Sequence, residues 1–204
     1  SPPKVDGNQT VTVTVAVNDA FSGVLWQSVP DQVLTVINLD DDTAGFALSK
    51  TTADVSENGT ANTFTIVLTA QPLSNVVFDI ASSNTLEVVV SPAQYTFAPG
   101  NWNVPQLVTV TGLNDNPATV DGPQTVTVTV AVNDGASDEA WDPLPDQTVT
   151  VTNQDNDLPG VVLSETTAAV SEDATTDRFT VALPARPLSN VVLDWPLVAA
   201  VAHT

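Results

Sequence analysis

The stretch VDGNQTVTVTVAVND, residues 5–19, returns as VDGPQTVTVTVAVND at residues 120–134. The offset of 115 residues holds without a gap from Val5 to Ile80, where 45 of 76 positions match their counterparts. Trp26 falls on Trp141, Asp40 and Asp42 on Asp155 and Asp157, and Ser56-Glu57 on Ser171-Glu172. PLSNVV at 72–77 falls on PLSNVV at 187–192. A period this long describes whole domains in tandem, not the short units of a solenoid. Inside the stretch Val11, Val13, Val15 and Val17 alternate with Thr12, Thr14 and Ala16. That period of two predicts a strand whose Val face turns to a core.

Working outward, the repeat predicts one complete unit over residues 43–157. The end of a preceding unit lies at 1–42 and the start of a following one at 158–204. Strands are expected at Phe46–Ser49, Asn62–Leu68, Asn75–Ile80, Leu86–Val90, Gln94–Phe97, Gln106–Thr111, Gln124–Val132 and Gln147–Thr152. Further strands are expected at 33–38 in the first copy, and at Val161–Ser164, Arg178–Leu183 and Asn190–Asp194 in the last. Turn formers such as Asn58-Gly59 and Pro99-Gly100-Asn101 fill the gaps, and no window has helical periodicity. Short strands at this spacing predict an all-β chain of tandem immunoglobulin-like antiparallel β-sandwiches. Incomplete units at both ends suggest a window on a longer array. After Asp194 the repeat stops: Trp195-Pro196-Leu197 stands where Ile80-Ala81-Ser82 stood.

Composition narrows the function. Four Lys and Arg stand against 24 Asp and Glu, a formal charge of −20. Such a chain argues against nucleic acid, whose phosphates need cationic side chains, and against anionic membrane surfaces. No apolar run is long enough for a transmembrane helix. Cys is absent, so disulfides and thiolate metal sites are excluded. The single His203 stands one residue from the end, which leaves no credible catalytic triad or zinc ligand set. The expectation is a protein that is not an enzyme. Trp26, Trp102 and Trp141 suit core capping better than a sugar-stacking platform.

The acids gather in loops and at unit junctions: Asp40-Asp41-Asp42, Asp115, Asp121, Asp155-Asn156-Asp157, and Glu57 and Glu172 in the TTAxVSE segments. Crowded carboxylates repel, and a hard divalent cation reverses that sign. Ca²⁺ accepts six to eight oxygens from carboxylates, Asn side chains, carbonyls and water, whereas Mg²⁺ demands stricter octahedral geometry.

The segments VSENGTANTFTIVLTAQPLSNVVFDI, YTFAPGNWNVPQLVTVTG, VDGPQTVTVTVAVND and VTVTNQDND resemble the Calx-β-like repeats of large bacterial surface proteins. The resemblance implies a seven-stranded sandwich binding Ca²⁺ in the loops at one end, beside the next domain. Family ligands carried over by position are Glu57, Asp115, Asp121, Asp155 and Asp157, with Asp40, Asp42 and Glu172 as their counterparts in the flanking copies. Two departures imply fewer ions than in the strong binders of the family. The acid-rich loop is thinned to NDNPATVDGPQ, and a second family acid has no counterpart in SSNTLEVVV.

The expected role is structural: a repeat segment of an extracellular or cell-surface adhesin, filament or surface-layer protein, bacterial by resemblance, with Ca²⁺ stiffening its junctions. Neighbouring copies joined head to tail are the expected partners, since the incomplete end units call for completion. Any cell-surface or glycan ligand belongs to other parts of the parent protein. The alternative is a carbohydrate-binding or spacer module of a secreted multidomain enzyme, which needs an exposed Trp102 or Trp141 in a cleft.

Overall fold

The computed structural model describes residues 2–171 and 173–195, so Glu172 and His203 lie outside the described residues. In chain order the strands are β1 Gln9–Val15, β2 Gln32–Asn38, β3 Phe46–Leu48, β4 Thr52–Ser56, β5 Ala61–Leu68, β6 Val76–Ser82, β7 Val88–Ser91 and β8 Gln94–Phe97. They continue as β9 Gln106–Gly112, β10 Thr119–Val120, β11 Gln124–Val132, β12 Gln147–Gln154, β13 Val162–Leu163, β14 Val181–Ala182 and β15 Arg186–Pro187. The one helical element among them is a 3-10 turn at Asp134–Ala136. The fold is all-β and immunoglobulin-like.

Two sheets form the sandwich, one ordered β4-β12-β11-β6-β8 and the other β3-β5-β9-β7. Alternation along each strand sends one face inward. Phe64 and Ile66 of β5, Val108 and Val110 of β9, and Val126, Val128 and Val130 of β11 are all buried in one core. Phe78 anchors that core, with Phe46 at 4.7 Å between ring centroids and Phe97 edge-on at 5.9 Å.

Strand β4 was not expected from the sequence. TTADVS alternates weakly, with Asp54 between its two apolar residues. Its order comes from a partner: the chain leaves the β3 sheet and pairs β4 in parallel with β12, from Thr52↔Thr150 to Ser56↔Gln154. Ala53 and Val55 then enter the core. Strand β10 is likewise too short for a sequence signal.

The flanking copies depart from expectation. Strands β1 and β2 pair antiparallel from Gln9↔Asn38 to Val15↔Gln32, yet every residue in them is exposed. The predicted burial of the Val face is therefore absent here, because among the described residues no second sheet lies over it. Among the described residues of the last copy only the short β13–β14 pair and β15 form, and Asn190–Asp194 is not a strand. Its counterpart β6 is held between β11 and β8. The last copy has no described equivalent of either partner.

Candidate metal centre

Three chain segments meet at one end of the sandwich. Strand β4 runs out at Ser56 and delivers Glu57, whose N–H still donates to Gln154 O at 3.1 Å. Strand β12 runs out at Gln154 and delivers Asp155 and Asp157. The connection from β9 to β11 carries Asp115 and Asp121 around β10. Carboxylate oxygens of Glu57, Asp115 and Asp121 lie within 4.8 Å of one another, and so do those of Glu57, Asp155 and Asp157. Both triads share the buried Glu57.

Backbone N–H groups fix this arrangement. Asp155 Oδ2 accepts from Asp121 N at 3.1 Å and from Gly122 N at 2.7 Å, while Oδ1 accepts from Asp157 N at 2.6 Å. The turn needs Gly122, which sits at φ +76°. Gln124 Nε2 braces the same turn by donating to Asp121 O and Gly122 O. Glu57 Oε2 accepts from Asn156 N at 3.3 Å. What remains is a set of buried oxygens that accept nothing: Glu57 Oε1, Asp121 Oδ1 and Asp157 Oδ2. Buried acceptors are normally satisfied. Unpartnered carboxylate oxygens on residues that cluster around Glu57 are the donor set of a hard cation, and the residues present fit one.

The electrostatics agree. Burial raises the carboxyl pKa of Glu57, and the charges of Asp155, Asp115 and Asp121 push it the same way against the Asn156 N–H. Burial also raises Asp115, with Asp121, Glu87, Asp157 and Asp155 adding to it. Burial works against Asp155 too, but the N–H groups of Asp157, Gly122 and Asp121 outweigh it and hold its pKa low. Asp155 is thus the ionised anchor of the loop, and Glu57 and Asp115 are the strained members.

Glu87 is a neighbour the sequence reading passed over. It is buried, and its Oε2 accepts from Asn153 Nδ2 at 3.0 Å. Asn153 also donates to the Glu87 and Leu113 carbonyls, tying β7, β12 and the Asp115 loop together. Gly112 makes room for this: a Cβ there would lie 2.4 Å from Asn153 Oδ1 and from Ser56 O. The available signal was a lone acid at the head of the apolar run in TLEVVV.

The first copy repeats the scaffold without the cluster. Asp40 Oδ2 accepts from Asp6 N at 3.0 Å and Gly7 N at 2.6 Å, and Asp40 Oδ1 from Asp42 N at 3.0 Å. Lys4 Nζ pairs with Asp6 at 3.1 Å, and Lys4 N donates to Asp42 Oδ2 at 2.7 Å. Among the described residues no third carboxylate joins Asp40 and Asp42. Glu172 lies outside the described residues.

The acidic end abuts a joint between copies. Thr119 and Val120 of β10 pair in parallel with Arg186 and Pro187 of β15, and Arg186 N donates to Ala118 O at 2.7 Å. The same contact occurs 115 residues earlier. There Lys4 bridges Gln71 in parallel, Gln71 N donates to Pro3 O at 2.8 Å, and Val5 N donates to Gln71 O at 3.1 Å.

The opposite end is plugged by the β11–β12 connection. Trp141 is fully buried, and its indole N–H donates to Gly45 O at 3.3 Å. Asp138 Oδ2 clamps the Leu73 and Ser74 N–H groups at 2.8 and 2.9 Å. Trp102 packs against the core. Trp141 is thus wholly inside the core and Trp102 half-buried against it, so neither is the exposed tryptophan that the alternative module needs.

No family model matches the chain, and no curated protein does. Solved structures are similar to the chain at low identity. SSP-19, an MSP-domain protein like family member in Caenorhabditis elegans, is 18% identical, with 52% of this chain and 97% of that one covered and a TM-score of 0.38. Domains 4 and 5 of the S-layer protein SbsC are 18% identical over 61% of this chain and 63% of theirs, with a TM-score of 0.36. The structure of SbsC domains 1–6 is 13% identical over 87% of this chain, which spans 25% of that one, with a TM-score of 0.41. No helix among the described residues is long and apolar enough to cross a membrane.

Proposed function

We propose that the chain is a Calx-β-like tandem-repeat segment of an extracellular adhesin, filament or surface-layer protein. Its units are 1–42, 43–157 and 158–204, and Ca²⁺ stiffens the joint between them. In this reading Glu57, Asp115, Asp121, Asp155 and Asp157 hold the ion. Asp40 and Asp42, with Asp6, complete an equivalent site when the Glu57 counterpart of a neighbouring copy, Glu172, reaches them.

The observation that carries the reading is the identity of the loop. The connection that supplies Asp115 and Asp121 to the cluster is the one whose Thr119 and Val120 pair with the following copy. An ion that draws the two acids toward Glu57 orders that loop, and the loop is the joint. Without an ion, full charges 4.8 Å apart repel by about 3 kcal/mol per pair at an effective dielectric near 20. Recurrence of the joint at Lys4 and Gln71 supports an array with one repeated geometry.

Calorimetric titration of the whole chain with Ca²⁺, beside a Glu57→Gln variant, tests this. The expected result is saturable binding and a raised melting temperature in the parent chain, both lost in the variant and on chelation. No heat and no thermal shift in the parent chain sinks the proposal.

A further inference from the structure

We propose that Asn58 is a self-modification site: its side-chain amide is lost by spontaneous deamidation, and the product is one more carboxylate at the acidic pole of the central copy. The chemistry needs an Asn whose successor has no side chain, and Asn58-Gly59 is the one Asn-Gly pair in the sequence. Both residues are exposed at the turn between β4 and β5. Apart from its chain neighbours, no atom lies within 4 Å of where a Cβ of Gly59 would stand, so its backbone nitrogen is open on that side. Asn156 Nδ2 donates to Asn58 Oδ1 at 2.7 Å, which draws electrons from Cγ and stabilises the oxyanion that forms when Cγ is attacked. The Gly59 nitrogen, after giving its proton to solvent hydroxide, bonds to that Cγ. The Cγ–Nδ2 bond breaks, ammonia leaves, and a five-membered succinimide remains. Water opens the ring to aspartate or isoaspartate, with no change of oxidation state. One contact opposes the first step: Gly59 N donates to Ser56 O at 3.0 Å, so the turn has to open before the nitrogen is free.

The next copy shows that the product fits. Asp173-Ala174 stands 115 residues on from Asn58-Gly59. The turn is the same one. Ser56 N donates to Thr60 Oγ1 at 2.7 Å and Ser171 N to Thr175 Oγ1 at 2.6 Å, and Gly59 at φ +77° matches Ala174 at φ +63°. The last copy therefore carries by sequence the carboxylate that the central copy acquires with age. Its Ala holds a left-handed conformation that is costly for any residue with a side chain, whereas Gly59 adopts it freely and leaves the nitrogen open to attack. The new carboxylate follows Glu57 in the chain and faces the amide of Asn156, which stands between Asp155 and Asp157. It adds to the repulsion at a pole that already brings carboxylate oxygens of Glu57, Asp155 and Asp157 within 4.8 Å of one another. On the reading that this pole holds Ca²⁺, one further carboxylate tightens the ion, since affinity follows the charge count of the site. The modification itself does not depend on that reading.

Peptide mass mapping of the whole chain, aged in EDTA at mildly alkaline pH, tests the modification without a cation. The expected result is that the segment holding Asn58 gains the mass of an amide-to-acid exchange before any other Asn of the chain does, as a mixture of aspartate and isoaspartate. Gly59→Ala is expected to slow the exchange severalfold and to keep the fold, because the last copy already holds Ala in that turn. Asn58→Asp, which reproduces one product, is expected to melt below the parent chain in EDTA and to bind Ca²⁺ about tenfold more tightly. An Asn58 segment that keeps its mass, a Gly59→Ala chain that exchanges as fast as the parent, or an Asn58→Asp chain that melts no lower in EDTA overturns the proposal. A parent chain that deamidates at Asn58 while neither it nor Asn58→Asp binds Ca²⁺ overturns the cation reading and supports this one.

Discussion

The β1–β2 and β11–β12 hairpins are nearly the same molecule in two surroundings. Their strands pair in one register: Gln9↔Asn38 corresponds to Gln124↔Asn153, and Val11↔Val36 to Val126↔Val151. Their burial is opposite. Val11 and Val13 are 56% and 43% exposed, while Val126 and Val128 are 2% and 0%. Pairing follows from what the hairpin carries itself, β-branched cross-strand pairs and an Asp clamp at its open end, Asp40 on the Asp6 and Gly7 N–H groups as Asp155 on those of Asp121 and Gly122. Burial depends on β5, β6 and β9, which only the central copy possesses among the described residues. A hairpin alone is marginal in water, so the same residues carry different energetic weight in each place.

The sharpest way to break this comparison is at the tryptophans. Trp141→Ala is expected to cost about 3–5 kcal/mol of stability in denaturant unfolding, as large core aromatics do. Trp26→Ala in dilute solution should change it by less than about 0.5 kcal/mol. Equal losses would show that β1–β2 has a hidden core of its own.

Next in size is the proposed cation at the acidic end of the central copy, set against the first copy, where among the described residues no third carboxylate joins Asp40 and Asp42. At a hundredfold excess over its dissociation constant, one ion adds about 2.7 kcal/mol. Asp155→Ala is expected to abolish that increment in thermal unfolding, because in the proposed site the residue is a ligand and it also holds the Asp121–Gly122 turn. Asp40→Ala should leave it intact within a single chain, where Lys4 already occupies Asp6 and Asp42. An increment lost equally in both variants would place the ion elsewhere.

Within the strands, Val128→Ala is expected to cost about 2 kcal/mol, from two buried carbons and a residual cavity. Its counterpart Val13→Ala should fall within about 0.5 kcal/mol of the parent. Hydrogen exchange read at the two Val–Thr ladders sharpens this further, with β11 protected and β1 exchanging fast.

The smallest effect is the pH profile in chelator. Glu57 and Asp115 have raised pKa values, so the folded state binds their protons more tightly than the unfolded one. Stability is lost as pH rises from their ordinary values, 4.5 and 3.8, through the raised ones. Asp155 and Asp40 have lowered values, so their contribution is present above 3.8 and lost as pH falls through the folded values. The melting temperature is expected to rise on mild acidification and fall on stronger acidification. Saturating Ca²⁺ should remove the first limb, because it favours the ionised carboxylates. A profile with no rising limb in chelator would mean that the cluster is not strained.

All five acids of the candidate site were named from the sequence, but their grouping with Glu57 rested on the family resemblance, not on periodicity or spacing. Asp155 and Asp157 stand at a strand end and Asp121 before Gly122, so their repetition marks them. Glu57 reaches them only because β4 crosses to the other sheet and pairs in parallel with β12, a non-local contact with little periodicity to announce it. Glu87 was missed for the same reason. It is one acid in an apolar run, and its place beside Asp115 comes from Asn153 on a distant strand.

The sequence by itself determined the period, the all-β class, the strand registers within hairpins and the loops that carry acid. These are local properties, set by alternation, turn chemistry and repetition along the chain. Tertiary structure alone decided which copy of the Val stretch is buried, which tryptophan is a plug and which a protrusion, and which strand pairing carries Glu57 and Glu87 to the other acids. Those outcomes depend on what lies across the sheet or at the far end of another strand, and identical residues have no means of encoding different neighbours.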